Sequence, residues 1–286
     1  MSSSLQHVMA EQFGVTTELH PQPLFTIAGS RLSTESGMQE LISAYSPLMK
    51  ALEPAAAGAY FISRLSVLNM AMHEMLINDE LIDLAPELWT LQIYKHDKGH
   101  AEFRYVLHEI RYLEGPREGE RSAWREELLC HWYGTHIRPI VEAAALAADM
   151  DITHLWKLFP IRLRYRFDHL KEQAGCERQQ LRIEEEWTFV TKELSGQVFG
   201  RAGNPLNVKF IHLDYPGAPG EPDKQMRMKT ACCMFYRTEG GHYCFTCPRM
   251  KPSEREERKV QIREKLAQEA MAKGCCAIDS SMGAPK

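Results

Sequence analysis

No apolar run in this 286-residue sequence is long enough to cross a bilayer, which takes about 20 residues. The best window, Ala55 to Met72, is broken by Ser63, Arg64 and Ser66 and predicts a buried helix instead. The opening MSSSLQHVMAEQFG has neither the basic stretch nor the apolar core of a secretory leader. An excess of positive charge is also lacking. With 34 Lys and Arg against 38 Asp and Glu, the net charge is −4, a poor balance for a bulk nucleic-acid binder. No G-x-G-x-x-G, phosphate-binding loop or G-x-S-x-G occurs, and neither His73-Glu74 nor His108-Glu109 is followed by the second histidine of a zinc-protease helix. Nothing in the chain therefore marks a site for NAD(P)H or flavin. The expectation is a cytoplasmic chain with no membrane span and no nucleic-acid partner, seated at most peripherally at the inner face of the membrane.

What is present is globular in proportion, with 44% hydrophobic and 25% charged residues. Apolar residues recur at helical spacing through Leu41, Ile42, Tyr45, Leu48, Met49 and Leu52, and again through Tyr60, Phe61, Leu65, Leu68 and Met72. These predict two amphipathic helices between Thr34 and Ile82, with a break near Pro54 and Gly58. From Leu88 to Leu107 the period changes to alternation about Asp97-Lys98-Gly99, a hairpin signal. Helical spacing returns over 120–150, 152–175 and 178–199, with Pro160 a boundary. Leu206 to His212 suggests another strand, and residues 1 to about 35 suggest a loosely attached start with a short strand near Leu24 to Ile27. The fold class is α+β, mostly helical.

The expected organisation is a helical body over 1–214 and a Pro- and Gly-rich linker over 215–223. A small C-terminal metal-binding segment would follow over 224–274, ending in a helix, with a disordered tail over 275–286. The terminal helix opens on the capping box Ser253-Glu254-Arg255-Glu256 and runs to about Lys273.

Cysteine is distributed unevenly. Cys130 and Cys176 stand alone in helix-like sequence and are expected to be small buried hydrophobes. Cys232, Cys233, Cys244 and Cys247 crowd into sixteen residues, and Cys275 and Cys276 follow near the end. The central pattern is C-C-x10-C-x2-C. Four thiolates complete the ligand set of either a tetrahedral zinc or a [2Fe–2S] cluster. Glu239-Gly240-Gly241 can turn the chain so that one pair faces the other. Adjacent cysteines are unusual in zinc ribbons, and a two-iron cluster spreads its ligand positions more widely; this favours the cluster, with zinc a serious rival.

The cysteine pattern, Gly203-Asn204-Pro205-Leu206 upstream and Cys247-Pro248 at its close resemble the FhuF-like ferric siderophore reductase family over roughly the last third of the chain. The long charged helix and the second Cys-Cys pair depart from that family. The resemblance implies an iron–sulfur oxidoreductase with Cys232, Cys233, Cys244 and Cys247 as cluster ligands and no side-chain catalyst. It also implies one-electron reduction of an imported Fe(III)–siderophore, of hydroxamate type, with release of Fe(II) in the cytoplasm. The electron donor would be a ferredoxin or a ferredoxin reductase. Two other classes fit the residues: a structural zinc module on a helical binding protein, and a [2Fe–2S] sensor or assembly factor.

Charge near the cysteines is uneven as well. Lys224, Arg227, Lys229, Arg237, Arg249 and Lys251 face one acid, Glu239, so this stretch is 6 − 1 = +5 in a chain of −4. Positive charge there would favour a more negative, reduced centre and dock an acidic donor. In the body, Arg162, Arg164 and Arg166, with Tyr165 and His169, form the densest basic patch, either an anion site or a snorkelling helix face.

Overall fold

A computed structural model describes residues 2–279. In chain order, α1 (Ser2–Phe13), β1 (Val15–Thr16) and β2 (Pro23–Ala28) lead into α2 (Glu35–Leu48) and α3 (Pro54–Asn78). The strands β3 (Leu81–Ile82), β4 (Trp89–Lys95), β5 (Ala101–Leu107) and β6 (Tyr112–Leu113) follow. A second helical run comprises α4 (Arg121–His131), α5 (Arg138–Ala147), α6 (Ile152–Trp156), α7 (Pro160–Gln173) and α8 (Glu177–Thr188). The chain then forms β7 (His212–Tyr215), β8 (Lys224–Arg227) and α9 (Pro252–Asp279). Helix accounts for 55% and strand for 13%, so the fold is α+β and mostly helical. Two compact units divide it. Among the described residues, one takes the chain through Val208 and includes Cys233–His242; the other holds Lys209–Cys232 and the chain from Tyr243 to Asp279.

The larger unit is organised on α3. Pro54 opens this helix at a position where a missing N–H costs nothing, and Asp79, in the left-handed conformation, ends it. It is apolar nearly all round and buried accordingly, with Phe61, Ile62, Leu65, Leu68, Met72 and Met75 in the core. The predicted hairpin is β4–β5, paired from Trp89↔Leu107 to Lys95↔Ala101. Gly99 takes φ +86° at its turn, where a Cβ would strain the backbone. The sheet order is β1-β5-β4-β2, with β1 parallel to β5 and the other pairs antiparallel.

Three expectations about local structure are corrected. The start is not loosely attached: α1 buries Leu5, Met9 and Phe13 at i, i+4, i+8 spacing, which anchors its described part to the core. The strand expected over Leu206–His212 begins only at His212, and Leu206 is buried in irregular chain beside Asn204. Cys130 is half-buried and Cys176 is exposed at the N-cap of α8, so neither is a core thiol. The last helix continues to Asp279, and its backbone includes Cys275 and Cys276; residues 280–286 of the expected tail lie outside the described residues.

Between α3, α4 and α8 the core holds a polar cluster. Glu186 is fully buried with no hydrogen bond to either carboxylate oxygen. Its Oε1 lies 3.9 Å from His73 Nδ1, and its Oε2 lies 3.9 Å from Nη1 of both Arg121 and Arg125. His73 Nε2 meets the Tyr133 hydroxyl at 2.9 Å, and Trp132 Nε1 donates to Asn69. Tyr133 and Trp132 belong to a π turn, Trp132–Ile137, and a second π turn, Phe189–Glu193, directly follows α8. Pro139 explains the first: its ring removes a donor from the helical ladder just after the widened turn.

Burial drives the two ionisable groups of this cluster in opposite directions. It pushes the Glu186 carboxyl up to about 7 and the His73 imidazole down to about 3. Native Glu186 keeps a proton between pH 4.5 and 7 that the unfolded chain has lost, so its contribution falls as pH rises through that window. His73 refuses, between pH 3 and 6.5, a proton that the unfolded chain binds, so its contribution rises over that range. The slopes oppose from 4.5 to 6.5. Chemical denaturation against pH should therefore show a steeper rise in Glu186→Gln and a fall from pH 4.5 to 7 in His73→Gln. Profiles parallel to wild type in both variants would contradict this account of the cluster.

Candidate metal centre

The smaller unit is built on a short ribbon. β7 and β8 pair antiparallel from His212↔Arg227 to Tyr215↔Lys224, and the chain leaves β8 toward Cys232. Lys229 N donates to Thr246 O at 2.9 Å, tying this exit to the Cys244–Cys247 turn, and Tyr215 packs edge-on against Phe245. The turn itself is closed by Cys247 N donating to Cys244 O at 2.9 Å. Arg255, on the first turn of α9, is buried and clamps it. Its guanidinium donates to the carbonyls of Phe245 (3.1 Å), Cys247 (2.8 Å) and Met250 (3.3 Å).

This scaffold sets Cys247 Sγ 3.6 Å from Cys232 Sγ, with both side chains buried. A disulfide would bring the sulfurs to about 2.05 Å. Two thiolates at about 2.3 Å from one tetrahedral metal stand about 3.8 Å apart. The observed spacing is that of two thiols in contact and is close to one edge of a tetrahedral thiolate site. Cys244 is half-exposed, with its sulfur 3.7 Å from the Thr246 hydroxyl. None of the six described cysteines forms a disulfide. Among the described residues no three His, Cys, Asp or Glu side chains are gathered closely enough to hold a metal, so Cys232 and Cys247 are the pair brought together. The donor set, four thiols in C-C-x10-C-x2-C, fits a cluster that takes four thiolates.

Cys233 opens the loop Cys233–His242, which packs with the larger unit. Met234, left-handed at φ 58°, bends the chain directly after the cysteine pair. The loop then docks on the α2–α3 junction. Leu52 N donates to Arg237 O (3.0 Å), Glu239 N donates to Lys50 O (2.9 Å), and Ala51 bridges Thr238. Arg237 pairs with Glu53, and the Glu53 carboxylate, then the Tyr236 hydroxyl, raise its pKa. The Gly240-Gly241 turn is required sterically: a Cβ on Gly241 would lie 2.1 Å from the Phe235 carbonyl oxygen.

The charges expected around the cysteines are only partly available. Arg237 is spent on Glu53, where it anchors the loop, and Lys224 lies 3.7 Å from Glu221. Arg227 stacks over Phe210. The arginine patch on α7 likewise does not form one face. Arg164 pairs with Asp168 and Glu184, and Arg166 with Glu74, whereas Arg162 donates to the Ser63 carbonyl at 2.8 Å. His242 is exposed against Phe235, and His96 and His100 stack on each other at the hairpin turn. Asn204 closes the second π turn, donating to Val190 O and Leu194 O. Arg255 was not identified from sequence as part of the site. Its only signal was its place inside the capping box, eight residues after Cys247.

A cysteine-rich turn that brings two sulfurs together on a mostly helical protein is what this geometry defines. Residues 230–249 match the family model of the FhuF 2Fe-2S C-terminal domain, and Cys232, Cys233, Cys244 and Cys247 fit its motif. The match indicates a [2Fe–2S] cluster as the cofactor. No curated protein sequence matches the chain. Among the described residues no helix is long and apolar enough to cross a membrane.

Proposed function

We propose that this protein is an iron–sulfur oxidoreductase that reduces an Fe(III)–siderophore, of hydroxamate type, by one electron. The observation that carries the reading is the four-cysteine motif matched to an iron–sulfur domain, with two of its sulfurs at the spacing of a shared metal. In this reading Cys232, Cys233, Cys244 and Cys247 are the cluster ligands. A bound [2Fe–2S] cluster supplies a one-electron carrier. The chain's own residues prepare its seat. Arg255 fixes the three carbonyls of the Cys244–Met250 turn, and burial of Cys232 and Cys247 excludes water from two of the sulfurs. The basic side chains of the segment would receive an acidic donor of the ferredoxin or ferredoxin reductase kind.

Substrate chemistry completes the argument. A hard oxygen cage holds Fe(III) far better than Fe(II), so one electron added to the chelate loosens the metal and lets Fe(II) leave for the cytoplasm. The helical body would supply the cleft that receives the chelate.

The test is a single turnover under anaerobic conditions. Pre-reduced protein is mixed with a ferric hydroxamate, or with the iron-free siderophore, in the presence of an Fe(II) chelator. The expected result is reoxidation only with the ferric form, and one Fe(II) trapped per electron released. Equal reoxidation rates with and without iron would overturn the reductase reading and leave a cluster-holding sensor or assembly factor.

A further inference from the structure

The π turn Trp132–Ile137, placed by Pro139 at the end of α4, decides where two histidines fall. In an α-helix, residues five apart point about 140° away from each other. A π turn closes on i→i+5 hydrogen bonds and brings such residues back to one face. His131, the last residue of α4, and His136, inside the turn, therefore meet. Their ring centres are 4.6 Å apart, with the planes at 87°.

His131 is exposed, and His136 is half-buried beside Trp132, with ring centres 5.8 Å apart. Among the described residues neither imidazole makes a hydrogen bond or an ion pair. The hairpin pair, His96 and His100, differs in this respect. Its rings stack at 4.8 Å, but His96 Nδ1 accepts from Lys98 N (3.1 Å) and His100 Nε2 meets Glu102 Oε1 (3.1 Å). Those nitrogens are already used.

Imidazoles that share one ion, each with a nitrogen about 2.0–2.1 Å from the metal, have ring centres about 4.5–5.3 Å apart. The short end corresponds to a right angle at the metal and the long end to a tetrahedral angle. His131 and His136 stand at the right-angle end of that range. Imidazole is a ligand for late first-row ions, and right angles between nitrogen donors suit tetragonal Ni(II) or Cu(II). Coordination also needs neutral rings. Burial, and then His131, hold the His136 imidazole below the usual histidine range, while Glu87 and Asp83 act the other way.

We propose that His131 and His136 form a surface site for one divalent late transition-metal ion of the Ni(II) or Cu(II) kind, with water completing its coordination. The site uses none of the motif cysteines and does not depend on the cluster reading.

The experiment uses the full-length protein with its cysteine motif filled first, by cluster reconstitution or by zinc. Ni(II) is then titrated by calorimetry at neutral pH. Thermal unfolding gives a second readout, since an ion bound only by the folded state raises the unfolding temperature. Wild type should bind Ni(II) and be stabilised by it. Loss of a mere partner of a metal ligand weakens binding about 10–100-fold, so His131→Ala and His136→Gln should each weaken it at least about tenfold. Both should also lose most of the thermal shift, and His96→Ala should match wild type. His131 is exposed, so His131→Ala keeps the fold, which its metal-free unfolding temperature checks. Unchanged Ni(II) affinity in folded His131→Ala or His136→Gln would leave the pair a packing contact and overturn the proposal. An equal loss in His96→Ala, or no Ni(II) binding by wild type, would overturn it too.

Discussion

Serine in place of Cys247 is expected to leave a protein that folds but does not retain iron. Cys247 is 2% exposed, and its sulfur is one end of the 3.6 Å pair with Cys232. A serine oxygen is harder than a thiolate, is protonated near neutral pH, and bonds to a metal at a shorter distance. At this buried position no water can substitute easily. The backbone of the turn survives the change, because its clamp runs through carbonyls rather than through the cysteine side chain. After anaerobic reconstitution the variant should show little visible absorption and an unchanged helical circular dichroism spectrum. A variant with full iron content and wild-type colour would remove Cys247 from the ligand set.

Arg255→Gln should have the second-largest effect. Arg255 reaches three carbonyls within one turn of chain, those of Phe245, Cys247 and Met250. Hydrogen bonds from a charged donor are each worth about 1.5–3 kcal/mol, and glutamine can replace at most one or two of them. The carbonyls left buried lose their partner, so the turn loosens where Cys247 must be held. Changes of this kind beside metal ligands weaken binding by about 10–100-fold. The expected result is a protein that still assembles its cluster and loses it to a chelator about 10–100 times faster than wild type. Arg255→Lys, with charge but no fork, should fall between. Equal release rates in all three proteins would show that the clamp contributes nothing to the centre.

Much of the fold was legible because its signals are local. The long apolar period of α3, bounded by Pro54, and the alternation about Gly99 in β4–β5 depend only on neighbours in sequence. The N-terminal helix was missed because only Leu5, Met9 and Phe13 carry its buried stripe among polar residues, too narrow a stripe to stand out. The first π turn comes from Pro139 and the second is closed by Asn204 from later in the chain, and no period records either.

For the site, the four cysteines were legible because their spacing is the chemistry. Their surroundings were not. Arg237 lay in an apparent basic stretch, yet its partner Glu53 is far away in sequence. Arg162, Arg164 and Arg166 alternate in the sequence, yet on a helix the i, i+4 pair Arg162 and Arg166 turns to α3 while Arg164 turns to Asp168 and Glu184. Charge patterning gave their number, and the fold alone decides which are neutralised.

The most direct measurement is an absorption and EPR spectrum of anaerobically purified protein before and after dithionite, with iron and zinc assayed on the same sample. The account predicts visible charge-transfer bands, about two irons per chain as in a [2Fe–2S] centre, and a rhombic signal that appears only on reduction. A colourless protein holding one zinc per chain, still colourless after anaerobic reconstitution, would contradict it and make the four cysteines a structural site.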